Sequence, residues 1–207
     1  MGNAYGHYHH KPDGMYSTLI SGPEAPAVSL ADLKQHVEAR EFTDDDALLT
    51  VYGAAATGLF DAAGQGYLGR ALITQRWQLT LPMFPACGCI VLPVPVVQQV
   101  HTVTYYDGDN AEQSLATEAY SLIINGEFAE MRLVDGTSWP ATYKRPDAVA
   151  VQYDAGYGDA ASDIPEALRV AISITAAGFY EDRASADEIP KGVRQLVANY
   201  RLSRGYL

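Results

Sequence analysis

Between Trp77 and Tyr106 the chain runs for thirty residues without one Asp, Glu, Lys or Arg. An uncharged run of that length is either a membrane span or a set of buried elements, and the prolines decide between them. Pro82, Pro85, Pro93 and Pro95 interrupt it, joined by Gln78, Gln98 and Gln99. A spanning helix of ~20 residues does not tolerate missing amide donors at that spacing. The run therefore reads as buried strands, and the chain needs a β core to bury them in.

The neighbouring periodicity supports this from about Leu72 to Asp154. Thr74, Arg76, Gln78 and Thr80 alternate with Ile73, Leu79 and Leu81, and the segment from Val100 to Tyr106 is rich in β-branched and aromatic residues. Turn signals recur at the spacing an antiparallel sheet needs: Asp107-Gly108-Asp109-Asn110, Asn125-Gly126, Asp135-Gly136 and Arg145-Pro146-Asp147. Val149, Val151 and Tyr153 form one face of the last strand.

Helical patterns lie on both sides. Ser29 reads as the N-cap of a short helix with Asp32 three residues on, and Leu30, Leu33 and Val37 fall on one face. Thr43 is the expected cap of a second helix. There Asp44, Asp45 and Asp46 complement the helix dipole, and Leu48, Tyr52, Ala55, Ala56, Leu59 and Ala63 form the expected buried stripe. After Gly156-Tyr157-Gly158, Pro165 and Glu166 open a third helix with Leu168, Ile172, Thr175, Ala176 and Phe179 inward. Pro190 opens a fourth, with Val193, Leu196, Val197 and Tyr200 on one side.

The expected class is α+β, a helical bundle interrupted by a β-rich antiparallel insert, with an extended N-terminal arm and a C-terminal tail. The boundaries are residues 1–27 for the arm, 28–69 for the first helices, 70–158 for the insert, 159–200 for the last helices and 201–207 for the tail.

Charge is uneven along this plan. The chain has 25 acidic and 14 basic side chains and a formal net charge of -11, which disfavours a sequence-specific reader of DNA or an anionic membrane surface. Its last seventeen residues oppose this balance, with Lys191, Arg194, Arg201 and Arg204 and no acid. Such a basic, aromatic end is either a frayed terminus or a docking peptide for an acidic groove.

Motifs for chemistry are weak. Gly64-Gln65-Gly66-Tyr67-Leu68-Gly69 spells a dinucleotide fingerprint, yet it follows a helix and precedes a strand, the reverse of what pyrophosphate binding needs, and reads as a helix stop. His7, His9 and His10 supply imidazoles without the spacing of a closed metal shell. Cys87-Gly88-Cys89 is too sparse for a disulfide scaffold or a zinc site and too close for an ordinary bridge, so small buried cysteines are the default. His36 and His101 have no nucleophile elbow beside them. No cofactor, metal site or catalytic residue is assigned.

Several segments, taken together, resemble the head-tail connector (adaptor) family of tailed phages and related gene transfer agents. They are Gly69-Arg70-Ala71-Leu72-Ile73-Thr74-Gln75-Arg76-Trp77, Phe84-Pro85, Ile90-Val91-Leu92-Pro93, Val100 to Asp107, Gly136-Thr137-Ser138-Trp139-Pro140, Ala155-Gly156-Tyr157-Gly158-Asp159, Ile164-Pro165, Phe179-Tyr180-Glu181 and Tyr200-Arg201. The likeness covers roughly residues 28–204. The first 27 residues depart from it.

The resemblance implies a structural virion protein of the neck, assembled in the host cytoplasm. It would form a ring, dodecameric in the family, beneath the portal protein, carrying the stopper or tail proteins while DNA passes its lumen without specific binding. By position, contact with the portal falls to Arg194, Tyr200, Arg201, Leu202, Arg204, Tyr206 and Leu207. The rival readings are another neck component, such as a stopper or tail-completion protein, and a metal-dependent enzyme resting on His7, His9, His10 and the β-rich insert.

Overall fold

The computed structural model describes residues 14–38, 42–64, 66–126, 128–182 and 188–202. Among the described residues eight strands fall into two antiparallel sheets. The first has the order β1 (Tyr16–Ser21), β2 (Gln75–Leu81), β8 (Val149–Ala155), β4 (Val97–Tyr106), β5 (Glu112–Ser114); the second has the order β3 (Cys89–Leu92), β7 (Phe128–Leu133), β6 (Tyr120–Asn125). The helices are α1 (Leu30–His36), α2 (Asp46–Phe60), α3 (Glu166–Glu181) and α4 (Lys191–Leu196).

This overturns the expected helical bundle with a β insert. The molecule is β-rich, and its sheets enclose a core of their own: Trp77, Leu79, Leu81, Val149, Val151 and Tyr153 from the first meet Ile90, Leu92, Ala129 and Met131 from the second. The helices cannot make a bundle because α1 spans 7 residues and α4 only 6, about two turns each. They pack with α2 and α3 into a second cluster built on Leu33, Phe60, Leu72, Ile164, Leu168, Ile172, Phe179, Val193 and Val197.

The sheet also begins earlier than its sequence boundary. Tyr16–Ser21, inside the segment read as an arm, pairs with β2 from Tyr16 opposite Thr80 to Leu19 opposite Trp77. Its alternation is real but short, and the Gly and Pro residues around it mask it.

Across the first sheet the two faces differ in chemistry. Trp77, Leu79 and Leu81 point into the core, while Arg76, Gln78 and Thr80 lie opposite Asp154, Gln152 and Ala150 on the other side, continued by Thr102 and Thr104 of β4. Amides and hydroxyls dominate that outer face. Gln152 donates to Gln78 Oε1 at 3.0 Å. The register of β4 on β8 shifts twice, between Val97 and Gln99 and between Val100 and Thr102, which bends this long strand.

Local signals were used in unexpected ways. Ser29 does cap α1, its Oγ accepting from the Asp32 amide at 3.1 Å. Helix α2, however, starts at Asp46 and not behind Thr43, and its acids serve tertiary contacts: Asp45 accepts from the Tyr180 hydroxyl at 2.6 Å and Asp46 pairs with Lys34 at 2.7 Å. Its buried stripe is Leu49, Gly53, Ala56 and Phe60, shifted from the expected set, with Ala55 exposed. The stripe of α3 is as expected, with Leu168, Ile172, Thr175, Ala176 and Phe179 all buried.

Two segments far apart in sequence meet at the rim of the sheet core. Phe84 stacks on Trp139 at 4.7 Å between centroids and 4° between planes, with Tyr105 edge-on to Phe84 at 5.7 Å. An aromatic pair of this kind adds about 0.5–1.5 kcal/mol beyond its buried area.

Candidate functional site

The C-terminal segment is held to the body before it ends. Val193 and Val197 enter the helical core at 4% and 0% exposure, and each such burial contributes about 1.5–3 kcal/mol. Leu196, expected on the same side, is exposed instead. A short 3-10 turn over Ala198–Tyr200 follows, and then Leu202 tucks against Gly69 with its amide donating to the Leu68 carbonyl at 3.0 Å. Leu202 is therefore the pin of this segment.

Around the pin the basic side chains are displayed. Arg201 lies over the Tyr67 ring, its guanidinium carbon 4.6 Å from the centroid, Lys191 is exposed, and Arg194 reaches Glu188 at 2.8 Å. Tyr200 is half-buried. An exposed pair such as Arg194–Glu188 contributes little to stability and leaves the guanidinium open to exchange for another carboxylate. Of the residues assigned by position to the portal contact, Arg194, Tyr200, Arg201 and Leu202 share this end of the molecule; Arg204, Tyr206 and Leu207 lie outside the described residues, as do His7, His9 and His10.

What fixes the pin in space is a buried polar junction that the sequence does not announce. Asp61, 5% exposed at the end of α2, accepts from the amides of Ala63 and Leu72 and from Gln75 Nε2, each at 2.8 Å. Arg70, 1% exposed, donates to the Tyr157 hydroxyl at 2.9 Å. The 66–70 loop that receives Leu202 is thus tied to helix α2, to the entry of β2 and to the 156–158 loop at once. Its glycines follow α2 and precede β2 along the chain.

A second polar cluster sits on the outer face of the first sheet. Asp154, 6% exposed, accepts from Arg76 Nε at 3.0 Å and from Gln99 Nε2 at 3.1 Å, and meets His101 Nε2 at 2.5 Å. That histidine nitrogen also lies 2.7 Å from Arg76 Nη2. One ring nitrogen carries at most one hydrogen, so donation to Asp154 satisfies it and Arg76 is held through the carboxylate. The cluster joins β2, β8 and β4 across three strands and holds no hydroxyl or thiol to act as a nucleophile.

Burial works to raise the Asp154 carboxyl, but hydrogen bonds from Arg76, His101 and Gln99 outweigh it and hold it below its ordinary value. A carboxylate depressed in the folded state contributes stability that is present above the unfolded value of about 3.9 and is lost as the pH falls through the folded one. Asp154→Asn is expected to lower stability at neutral pH and to flatten the fall in stability below about pH 4. Urea melts of parent and variant from pH 7 downward check this. Parallel curves would rule the carboxylate out as a contributor.

At the start of β3, burial and the neighbouring Cys87 push the Cys89 thiol up to about 12. Among the described residues no group of three or more His, Cys, Asp or Glu side chains is placed to hold a metal ion, and no helix is long and apolar enough to cross a membrane.

No protein-family model matches the chain, and neither does any curated protein. Solved structures do. One chain in the virion of a native gene transfer agent particle is 25% identical with a TM-score of 0.72, over 91% of this chain and 96% of that one. A chain in the neck of the native particle, computed with C12 symmetry, is 25% identical with a TM-score of 0.71 over the same shares. A chain in the neck of the empty particle, computed with C6 symmetry, is 23% identical with a TM-score of 0.72. Across nine-tenths of its length the chain has the fold of a structural component of a gene transfer agent neck.

Proposed function

We propose that this chain is a structural protein of the neck of a gene-transfer-agent or phage-like particle, an adaptor whose copies form a ring between the portal and the stopper or tail. The likeness in fold over 91% of the chain to components of a neck with six- or twelve-fold symmetry carries the reading. The ring is closed and heterologous, so one surface of each copy meets a different surface of the next. DNA passes through the lumen, where an acidic protein of net charge -11 offers phosphates little to bind.

The displayed end of the chain supplies the contact to the portal. Arg194 and Arg201 are exposed and Tyr200 half-buried in the stretch that leads to the buried Leu202, and the sequence continues the same basic, aromatic character in Arg204, Tyr206 and Leu207. Arg and Tyr are the side chains that most often dominate protein interfaces. Leu202 serves differently from its neighbours, holding the segment down on the body through its burial and its amide bond to Leu68.

Deletion of residues 203–207 tests this while leaving the pin intact. The shortened chain is expected to fold like the parent and to attach to portal-bearing heads on the order of tenfold less well. Attachment of the full chain should slow as salt is raised, because the attraction is between charges exposed to solvent. Undiminished attachment after the deletion would remove the docking role. A reconstruction of the neck with this chain anywhere but against the portal would assign it to a stopper or tail-completion ring.

A further inference from the structure

We propose that Cys87 and Cys89 form a thiol–disulfide exchange site, which a small-molecule disulfide of the glutathione type closes into an internal Cys87–Cys89 bond. The two Sγ atoms lie 2.8 Å apart, within hydrogen-bond reach of each other, and both cysteines are free. They converge because the chain folds back between them. The Gly88 amide donates to the Pro85 carbonyl at 3.3 Å, and Gly88 adopts φ +72°, a left-handed conformation that shortens the path from Cys87 to Cys89. The Gly88 carbonyl in turn accepts from the Leu133 amide at 3.0 Å, which fastens the turn to the end of β7.

Access to the pair is one-sided. Cys87 is exposed, whereas Cys89 is buried at 9% where it enters β3 opposite Arg132. A disulfide arriving from solution reaches Cys87 first. The Cys87 thiolate attacks one sulfur of the oxidised glutathione, forming a Cys87–glutathione bond and releasing one glutathione thiolate. Cys89 then gives up its proton to solvent and attacks the Cys87 sulfur, breaking the mixed bond, forming Cys87–Cys89 and releasing the second glutathione thiolate. Two thiols of the protein are oxidised and one glutathione disulfide is reduced to two thiols. Burial is the larger part of what keeps the Cys89 proton in place, and the hydrogen bond and negative charge of a Cys87 thiolate add to it; once Cys87 carries glutathione, that added restraint is gone.

A bridge closing so short a loop removes little entropy from the unfolded chain, so its place is in exchange and not in holding the fold together. The sequence spacing argues against an ordinary bridge; the turn at Gly88 is what makes this one reachable.

The full-length folded protein incubated with oxidised glutathione is expected to lose two hydrogens in mass and both titratable thiols, and to regain them on reduction with dithiothreitol. Cys89→Ser is expected to stop at a stable adduct of one glutathione on Cys87. Cys87→Ser is expected to keep an unreacted thiol until the chain is unfolded in urea. The proposal fails if the unsubstituted chain accumulates the glutathione adduct, links to a second copy through these cysteines, or keeps both thiols unchanged. Because the parent chain alone decides the matter, poor folding of either variant does not protect the idea.

Discussion

Gly156→Ala is expected to destabilise the fold by about 3–5 kcal/mol. Two separate costs add at this position. The residue has φ +145°, a backbone conformation that an L side chain adopts only under strain of about 1–3 kcal/mol. A β-carbon there would also lie 2.6 Å from the Ile73 carbonyl carbon and oxygen and from the Thr74 nitrogen, all backbone atoms that cannot swing away, and such overpacking costs about 1–3 kcal/mol.

The same loop carries three backbone cross-links: Gly156 N–H to Val96 O at 2.8 Å, Tyr157 N–H to Leu72 O at 3.0 Å and Thr74 N–H to Gly158 O at 2.9 Å. Shifting the loop to relieve the clash loosens all of them. Against a total stability of about 5–15 kcal/mol, the loss removes a large share and lowers the melting temperature by roughly 10 °C. Urea denaturation of parent and variant reads it. A change below about 1 kcal/mol would mean that the Ile73 backbone yields.

Asp61→Ala is expected to cost about 3–5 kcal/mol for a different reason. The substitution leaves the buried Leu72 amide and Gln75 side chain without their acceptor, at about 1–3 kcal/mol each, and frees the part-buried Ala63 amide as well. Asp61→Asn is the informative companion. It keeps the shape and one oxygen but turns the other acceptor into a donor aimed at donors, so it should recover only part of the loss. If the asparagine variant is as stable as the parent in the same melts, the carboxylate is not what holds the junction. Because that junction positions the loop receiving Leu202, Asp61→Asn should also weaken attachment to portal-bearing heads if the proposed role holds.

Local chemistry was legible in the sequence and long-range chemistry was not. The uncharged run from Trp77 to Tyr106 does hold most of β2 and all of β3 and β4, and Asn125-Gly126 lies in the hairpin between β6 and β7. The α3 stripe and the Ser29 cap also follow from spacing alone, because each depends on residues three or four apart. The class of the fold did not follow. Counting helical stripes gives no weight to how short α1 and α4 are, and nothing in Tyr16–Ser21 shows that it will find Thr80 and Trp77 sixty residues later.

The site divides the same way. The basic end was visible as a run of Lys191, Arg194, Arg201 and Arg204 against an acidic body. Its attachment through Leu202 to Leu68 was not, and neither was the carboxylate at Asp61, which looked like an ordinary helix end. Asp45 and Asp46 stand at the N-terminus of α2, where the dipole reading puts them, and also bind Tyr180 and Lys34. A local explanation that suffices can hide a tertiary one.

The outer face of the first sheet has a mechanical corollary. Gln78, Gln152, Thr102 and Thr104 form a neutral tiling, and Arg76, the guanidinium set among them, is already paired with Asp154. A polyanion travelling along such tiles would find no regularly spaced footholds and would shed no counterions on contact, so its passage would be nearly frictionless and insensitive to its sequence.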